Sequence, residues 1–257
     1  MITTKDLSFG YNGRKVIDNI TLRIEGAKIT GILGPNGAGK STILKLLGGY
    51  MKADAGKIFI DGKDIRFISA REKSKIISFV AQNYNFSFPY SCYDFVMMGR
   101  FPYLGYLGFE KEEDTKITEE AMIVTNTEYL KDRMINTLSG GEAQRVLIAQ
   151  AIASRAPVLF LDEPVNHLDI KYQIEILDLI KKLKLEKSMT IVMVIHDLNL
   201  ASTYCDEVII LKNGSLYTQG APAEIITQDN IFNVFDVNVK HIKEGKNNFI
   251  FPVSSID

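Results

Sequence analysis

The run GPNGAGKS at residues 34–41 follows directly on the apolar stretch ITGIL (29–33). It opens a segment in which Ile43, Leu44, Leu46 and Leu47 recur at helical spacing. Such a chain is committed to a strand, a glycine-rich loop and a helix in immediate succession. Gly34, Gly37 and Gly39 let the backbone curl without side-chain obstruction, so that successive N–H groups point inward at phosphate oxygens. Lys40 reaches the β- and γ-phosphates, Ser41 offers its hydroxyl to Mg²⁺, and the helix adds its positive N-terminal end.

The rest of the chain supplies the layers around that unit. Residues 2–24 carry short alternating apolar runs broken by GYNGR, which predicts antiparallel strands joined by a turn. AGKIFIDG (55–62) reads as a strand ending in an Asp-Gly turn, and IISFVA (76–81) as a strand after a charged helix. Three apolar strands at 158–161, 190–195 and 208–211 alternate with helical patterns. In one of these patterns, 170–185, Ile170, Ile174, Leu177 and Ile180 are expected to share a face. This alternation predicts an α/β fold with a largely parallel sheet. Between the strand at 76–81 and Ala156 the character changes: the aromatic segment NFSFPYSCYDF precedes the polar run FEKEEDTKITEEAM, which reads as an exposed helix. We expect an inserted helical subdomain there. The tail after Phe235 is polar in places (KEGKNN) and carries no chemistry that can be read.

Further candidates lie at the predicted strand ends, where parallel sheets hold their ligands. VLFLDE (158–163) is four apolar residues followed by two carboxylates. Asp162 suits the Mg²⁺ shell, and Glu163 suits polarisation of an attacking water, its basicity raised by burial and by the neighbouring charge. His196 follows the strand at 190–195. A neutral imidazole there can hydrogen-bond a γ-phosphate or hold the attacking water, although a structural histidine fits the bare pattern as well. Gln82, after IISFVA, can donate to water and accept from the Mg²⁺ shell, while a surface glutamine is the plainer reading. Tyr11 in GYNG can stack on adenine or be an exposed turn residue. LSGGE (138–142) taken alone is a generic anion nest at a helix start.

Composition narrows the field. The 257 residues carry 30 Lys+Arg against 31 Asp+Glu, so no global positive field draws a nucleic acid. With 46% hydrophobic and 24% charged residues, the chain can bury a full core. Cys92 and Cys205 lack metal-ligand spacing and read as small buried hydrophobes rather than a disulfide, which fits a reducing cytoplasm. No window reaches the ~18 apolar residues of a membrane span, and the polar start is no signal peptide. Any membrane role must come from a partner.

Taken together, the motifs resemble the nucleotide-binding subunit of an ATP-binding cassette (ABC) transporter over residues 2–235. The resemblance implies a P-loop NTPase (RecA-like) core with a mostly parallel sheet, an N-terminal antiparallel β subdomain and an α-helical subdomain inserted at about 86–150. Residues 236–257 form a short tail beyond the ATPase domain. In this likeness Tyr11 is the adenine-stacking aromatic. Gly34, Asn36, Gly37, Ala38, Gly39, Lys40, Ser41 and Thr42 belong to the Walker A loop, Gln82 is the Q-loop residue, and LSGGE is the family signature. VLFLDE is Walker B, NHLD (166–169) the D-loop ending in Asp169, and His196 the switch histidine.

The resemblance further implies that Ser139, Gly140 and Gly141 of one chain serve the ATP held by a second copy, in a head-to-tail twofold dimer. ATP and Mg²⁺ are the implied cofactors, with Ser41, Gln82 and Asp162 around the metal and with Glu163, His196 and Gln82 catalytic. MGRFPY (98–103), LDIKYQIEIL (168–177) and GAPAEIIT (220–227) are similar to stretches in importers of iron-siderophores, haem and cobalamin. On that likeness the chain works at the cytoplasmic face of the membrane with transmembrane permease subunits, and indirectly with a substrate-binding protein. Val165 stands where a threonine is common, and FDVNV (235–239) replaces a more usual Tyr-Gly-Val. Molybdate or tungstate importers, an exporter subunit, or a soluble ABC ATPase acting on nucleic acid or the ribosome are the alternatives. Phe88, Tyr90, Met97 and Met98 fit equally a groove for the permease or ordinary core packing.

Overall fold

A computed structural model describes residues 1–82, 84, 88–105, 109–244 and 247–253. Asn85, Phe86 and Ser87 of the aromatic segment, and Gly245 and Lys246 of the polar tail, lie outside the described residues. The chain falls into two compact units, one of residues 1–68 with 184–257 and the other of residues 69–183.

In the first unit, strand Ile2–Tyr11 pairs antiparallel with Arg14–Ile20, Arg23–Ile24 and Ala55–Ile60. Its tight turn falls on Asn12 and Gly13, both at positive φ (49° and 78°), the backbone that Asn-Gly supplies for a two-residue hairpin. The register Leu7↔Ile20 and Phe9↔Ile17 puts Leu7, Ile17 and Ile20 into the core with no exposure. A second sheet in this unit runs Ile29–Leu33 in parallel between Glu207–Lys212 and Thr190–Val194, with Ser215–Gly220 antiparallel beside Glu207–Lys212. All five residues of both Ile29–Leu33 and Thr190–Val194 are buried, as continuous apolar runs in a doubly covered parallel sheet require. The tail forms a hairpin of Val239–Glu244 and Asn247–Pro252, with His241 opposite Ile250.

In the second unit, Ile77–Val80 and Val158–Asp162 pair in parallel. Between them in sequence come helices Cys92–Met97, Glu112–Val124 and Gly140–Ala153, which pack on one another. The helix Glu112–Val124 is amphipathic rather than exposed. Asp114, Ile117, Thr118, Ala121 and Met122 line one buried stripe at i, i+3, i+4 spacing, while Glu112, Glu113, Glu119 and Glu120 face water.

The helix Ile170–Lys187 carries Ile170, Ile174, Leu177 and Ile180 at the expected spacing, but only the last two are buried. Ile170 is 79% and Ile174 38% exposed, and the buried face is Ile176, Leu177, Leu179, Ile180 and Leu183. Helical period aligns residues on a face but does not say where along the axis the packing neighbour begins. The fold is α/β, with mostly parallel strands and an antiparallel β subdomain. Both cysteines are free and buried; burial pushes the Cys205 thiol up to about 12.

Candidate functional site

In the first unit, Ile29–Leu33 delivers the chain to the glycine-rich loop, and helix Lys40–Leu47 leaves it, anchored by buried Ile43, Leu44, Leu46 and Leu47. Gly34 takes φ 151° and a Cβ there would lie 2.4 Å from the Leu211 carbonyl oxygen. Gly39, at φ 94°, would press a Cβ to 2.7 Å from Ile17 Cδ1 and 3.0 Å from the Val16 oxygen. Both positions therefore exclude side chains by backbone and by contact. Lys40 is buried and its Nζ donates to the carbonyls of Gly34 (2.8 Å) and Pro35 (3.0 Å), so the lysine curls back over the loop it belongs to.

Beside this loop lies a cavity of ≈ 580 Å³ lined by Tyr11, Arg14, Lys15, Val16, Gly37, Asn213 and Gly214. The Tyr11 ring stands edge-on to Phe9 (centroids 4.9 Å apart, 89° between planes), its hydroxyl donates to Met51 Sδ (3.4 Å), and it remains 47% exposed. That fixes a ring with accessible surface on the cavity. Arg14, Val16 and the Asn213–Gly214 turn were not among the sequence candidates. Their signal was the pair of Asn-Gly turns, 12–13 and 213–214, both at positive φ and flanking the same cavity. The Asp18 N–H donates to the Gly214 carbonyl and ties the second turn to the strand after the first.

His196 sits at the end of the neighbouring parallel strand. The Ile195 N–H donates to the Ile32 carbonyl (3.2 Å), which fixes the chain one residue before the exposed histidine. Asp197 then caps helix Leu198–Tyr204, its Oδ1 accepting from the N–H groups of Asn199 (2.7 Å) and Leu200 (2.9 Å).

The second unit gathers Gln82, Asp162 and Glu163. Asp162 ends the fully buried strand Val158–Asp162 and is 3% exposed. Glu163 adopts φ 54°, a left-handed backbone that costs a non-glycine residue about 1–3 kcal/mol. One oxygen of its carboxylate, Oε2, accepts from both Gln82 Nε2 and Asn166 Nδ2, the latter at 2.6 Å. Two side-chain amides thus orient the carboxylate that the sequence singled out as water-polarising. The part of Asn166 in this clamp was missed; its only signal was its place three residues after Glu163. Replacing Asn166 by Ala should leave the carboxylate on one amide and lower kcat for ATP about tenfold while KM moves by less than about twofold, as loss of orientation predicts. Steady-state hydrolysis assays on the purified chain check it.

In the same unit Ser139 caps helix Gly140–Ala153 in a reciprocal box with Glu142. Ser139 Oγ donates to Glu142 Oε2 (2.8 Å), the Ser139 N–H donates to the same oxygen (2.9 Å), and Arg133 holds the other carboxylate oxygen (3.1 Å). The Ser139 backbone N–H, its hydroxyl and the Arg133 charge keep the Glu142 carboxyl below its usual range. A Cβ on Gly141 would come 2.7 Å from the Tyr172 ring, so glycine is what lets this helix start pass the ring. Asp169 is exposed and its carbonyl accepts from the Gln173 N–H in the helix that follows.

A family model described as "ABC transporter" matches residues 17–166. The petrobactin import ATP-binding protein YclP of Bacillus subtilis is 38% identical over 239 residues, 93% of this chain and 94% of that one. Among solved structures, a metal-chelate type ABC transporter in an inward-facing conformation superposes with TM-score 0.86 at 28% identity, covering 99% of this chain and 98% of that chain. A dimeric ATP-binding cassette in a post-hydrolysis state with ADP and phosphate bound gives TM-score 0.75 at 30% identity, over 86% of this chain and 99% of that one. With the phosphate loop, the signature cap and the aspartate-glutamate strand end already in place, these matches establish that the chain belongs to the ABC transporter family and carries its ATP-binding domain.

Proposed function

We propose that the chain is the ATP-hydrolysing subunit of an importer for a metal chelate, with residues 1–235 as its ATPase domain and the helices of about 86–150 as an insertion. The observation that carries the hydrolytic part is the Glu163 carboxylate, placed after a buried strand and held by two amides. A carboxylate so oriented is suited to polarise a water, while Lys40, the loop N–H groups and the helix N-terminus bind the phosphates. His196 is assigned the positioning of that water or the γ-phosphate. The oxygen donors of Ser41, Gln82 and Asp162 suit Mg²⁺. Among the described residues no cluster of three His, Cys, Asp or Glu side chains forms a dedicated metal cage, in keeping with an ion that takes part of its shell from nucleotide phosphates. When bound, the ion would neutralise charge on those phosphates.

The reading of Ser139, Gly140, Gly141 and Asp169 is that they serve ATP in a second copy of the chain, which the dimeric relative supports. Import and a metal-chelate cargo are supported by the names of the petrobactin importer subunit and the metal-chelate transporter. Among the described residues no helix is long and apolar enough to cross a membrane, so membrane attachment would come through permease subunits. Phe88 (66% exposed) and Tyr90 (43%) are assigned to that contact, whereas Met97 (3%) is core. Co-purification of the chain with a polytopic partner, and ATP-dependent uptake of a ferric chelate by the reconstituted complex, tests the proposal. A complex that hydrolyses ATP yet extrudes the chelate would overturn the direction. For the base pocket, Tyr11→Ala should weaken ATP binding by about 5–150-fold, the worth of one base-aromatic stack, while Tyr11→Phe should bind as the parent does. Calorimetric titration with ATP distinguishes them.

A further inference from the structure

Asn199 lies three residues beyond His196, and its side-chain amide bonds the C-terminal hairpin through both its nitrogen and its oxygen. Nδ2 donates to the Ile250 carbonyl (3.1 Å) and Oδ1 accepts from the Ile250 N–H (2.7 Å). Ile250 sits opposite His241 in the hairpin, with its side chain buried and both main-chain groups on the outer edge of its strand. An edge strand normally leaves such groups to water or to another strand. Here one amide side chain reproduces the donor and acceptor of a neighbouring peptide.

The same residue is held from the other side. Its backbone N–H is one of the two bonded by Asp197, the residue directly after His196. Bonded links therefore run from the strand under His196, through Asp197 and Asn199, to the hairpin: the Ile195 N–H on Ile32, the Asp197 cap, and the Asn199 amide on Ile250. Asp197 alone caps the helix without reference to the tail. Asn199 adds that reference, fixing the helix against a separate piece of chain.

The geometry points to Asn199 as a positioning residue that lets the C-terminal hairpin set the placement of His196, so that docking of the hairpin governs ATP turnover. This inference rests on the role assigned to His196 above. It gives the tail a part in the reaction, acting through the helix after the histidine and without contact with nucleotide.

The test uses the full chain with His196→Ala, Asn199→Ala, Asn199→Asp and the double variant His196→Ala/Asn199→Ala. Hydrogen exchange at the Ile250 amide reports the clamp, and kcat and KM for ATP report its consequence. In Asn199→Ala the Ile250 amide should exchange at least about tenfold faster and kcat should fall about tenfold, with KM within about twofold. Asn199→Asp keeps the acceptor for the Ile250 N–H but sets a carboxylate oxygen against the Ile250 carbonyl. It should move both readouts the same way, and it carries the test should the alanine variant not fold. On the His196→Ala background, Asn199→Ala should cost nothing further. Faster exchange with kcat unchanged, unchanged exchange, or additive losses in the double variant would each overturn the inference. Wild-type turnover in His196→Ala, beside a lowered kcat in Asn199→Ala, would instead remove the assignment of His196 on which it rests.

Discussion

Glu163→Gln is expected to lower ATP turnover by roughly 10²–10⁴-fold, the range for loss of a general base, while leaving ATP binding intact. The structure makes this substitution a clean one. Glu163 Oε2 is an acceptor for two amide donors, Gln82 Nε2 and Asn166 Nδ2, and the carbonyl oxygen of a glutamine can accept from both. Both amide contacts are therefore expected to survive while the charge and basicity are lost. A variant that still closes on ATP but no longer hydrolyses it should accumulate as an ATP-bound dimer, visible by light scattering in the presence of Mg-ATP. Unchanged steady-state hydrolysis would sink the assignment of Glu163.

The largest expected effect on stability is at Arg100. Its side chain is 4% exposed and its Nε pairs with Asp114 Oδ1 at 2.9 Å, itself 6% exposed. Nη1 donates to the Ala153 carbonyl (2.8 Å), and the guanidinium lies 4.0 Å from the Tyr103 ring centroid. One residue thus links helix Glu112–Val124 to the end of helix Gly140–Ala153. Gly99 beside it admits no side chain, since a Cβ would meet the Gln150 carbonyl oxygen at 2.2 Å. Removing the cation in Arg100→Ala strands a buried carboxylate and should cost about 3–5 kcal/mol, measurable by urea denaturation. Arg100→Met with Asp114→Leu removes both charges and should recover most of that loss.

The pH dependence has a definite sign. Burial raises the Asp114 pKa, but the hydrogen bond from Lys111 and the pairing with Arg100 outweigh it, and the group sits below its ordinary value. Its contribution is therefore present above the ordinary aspartate range near pH ~4 and is lost as pH falls through the lowered native value. In the doubly apolar variant that part of the acid sensitivity should disappear.

What could be read from sequence was what is local. The phosphate loop is one covalent run, so its strand, glycines, lysine and helix are legible together, and the Asn-Gly turns likewise announce their hairpins. The contact between Gln82 and Glu163 is not local, since 81 residues separate them. Asn166 was close in sequence, yet an asparagine at a loop start has many uses. Ile170 and Ile174 share helical spacing with buried Leu177 and Ile180 yet lie exposed, because apolar period carries no information about where the partner surface ends. The acidic helix reads as exposed because four outward glutamates mask a buried stripe of Asp114, Ile117, Thr118, Ala121 and Met122. The docking of the tail was invisible for a different reason: its polar link is one amide side chain, which in sequence reads as any surface asparagine.

The lysine curled over the carbonyls of Gly34 and Pro35 has a consequence for how nucleotide arrives. On the role proposed for Lys40, the cation that meets the phosphate is one the loop's own carbonyls already hold in place. Under that proposal, binding would be an exchange of acceptors, carbonyl oxygens for phosphate oxygens. The gain is then a difference between two satisfied states rather than the full worth of a salt link. A nucleotide held on such terms can also leave, as a subunit that cycles between loaded and spent forms requires.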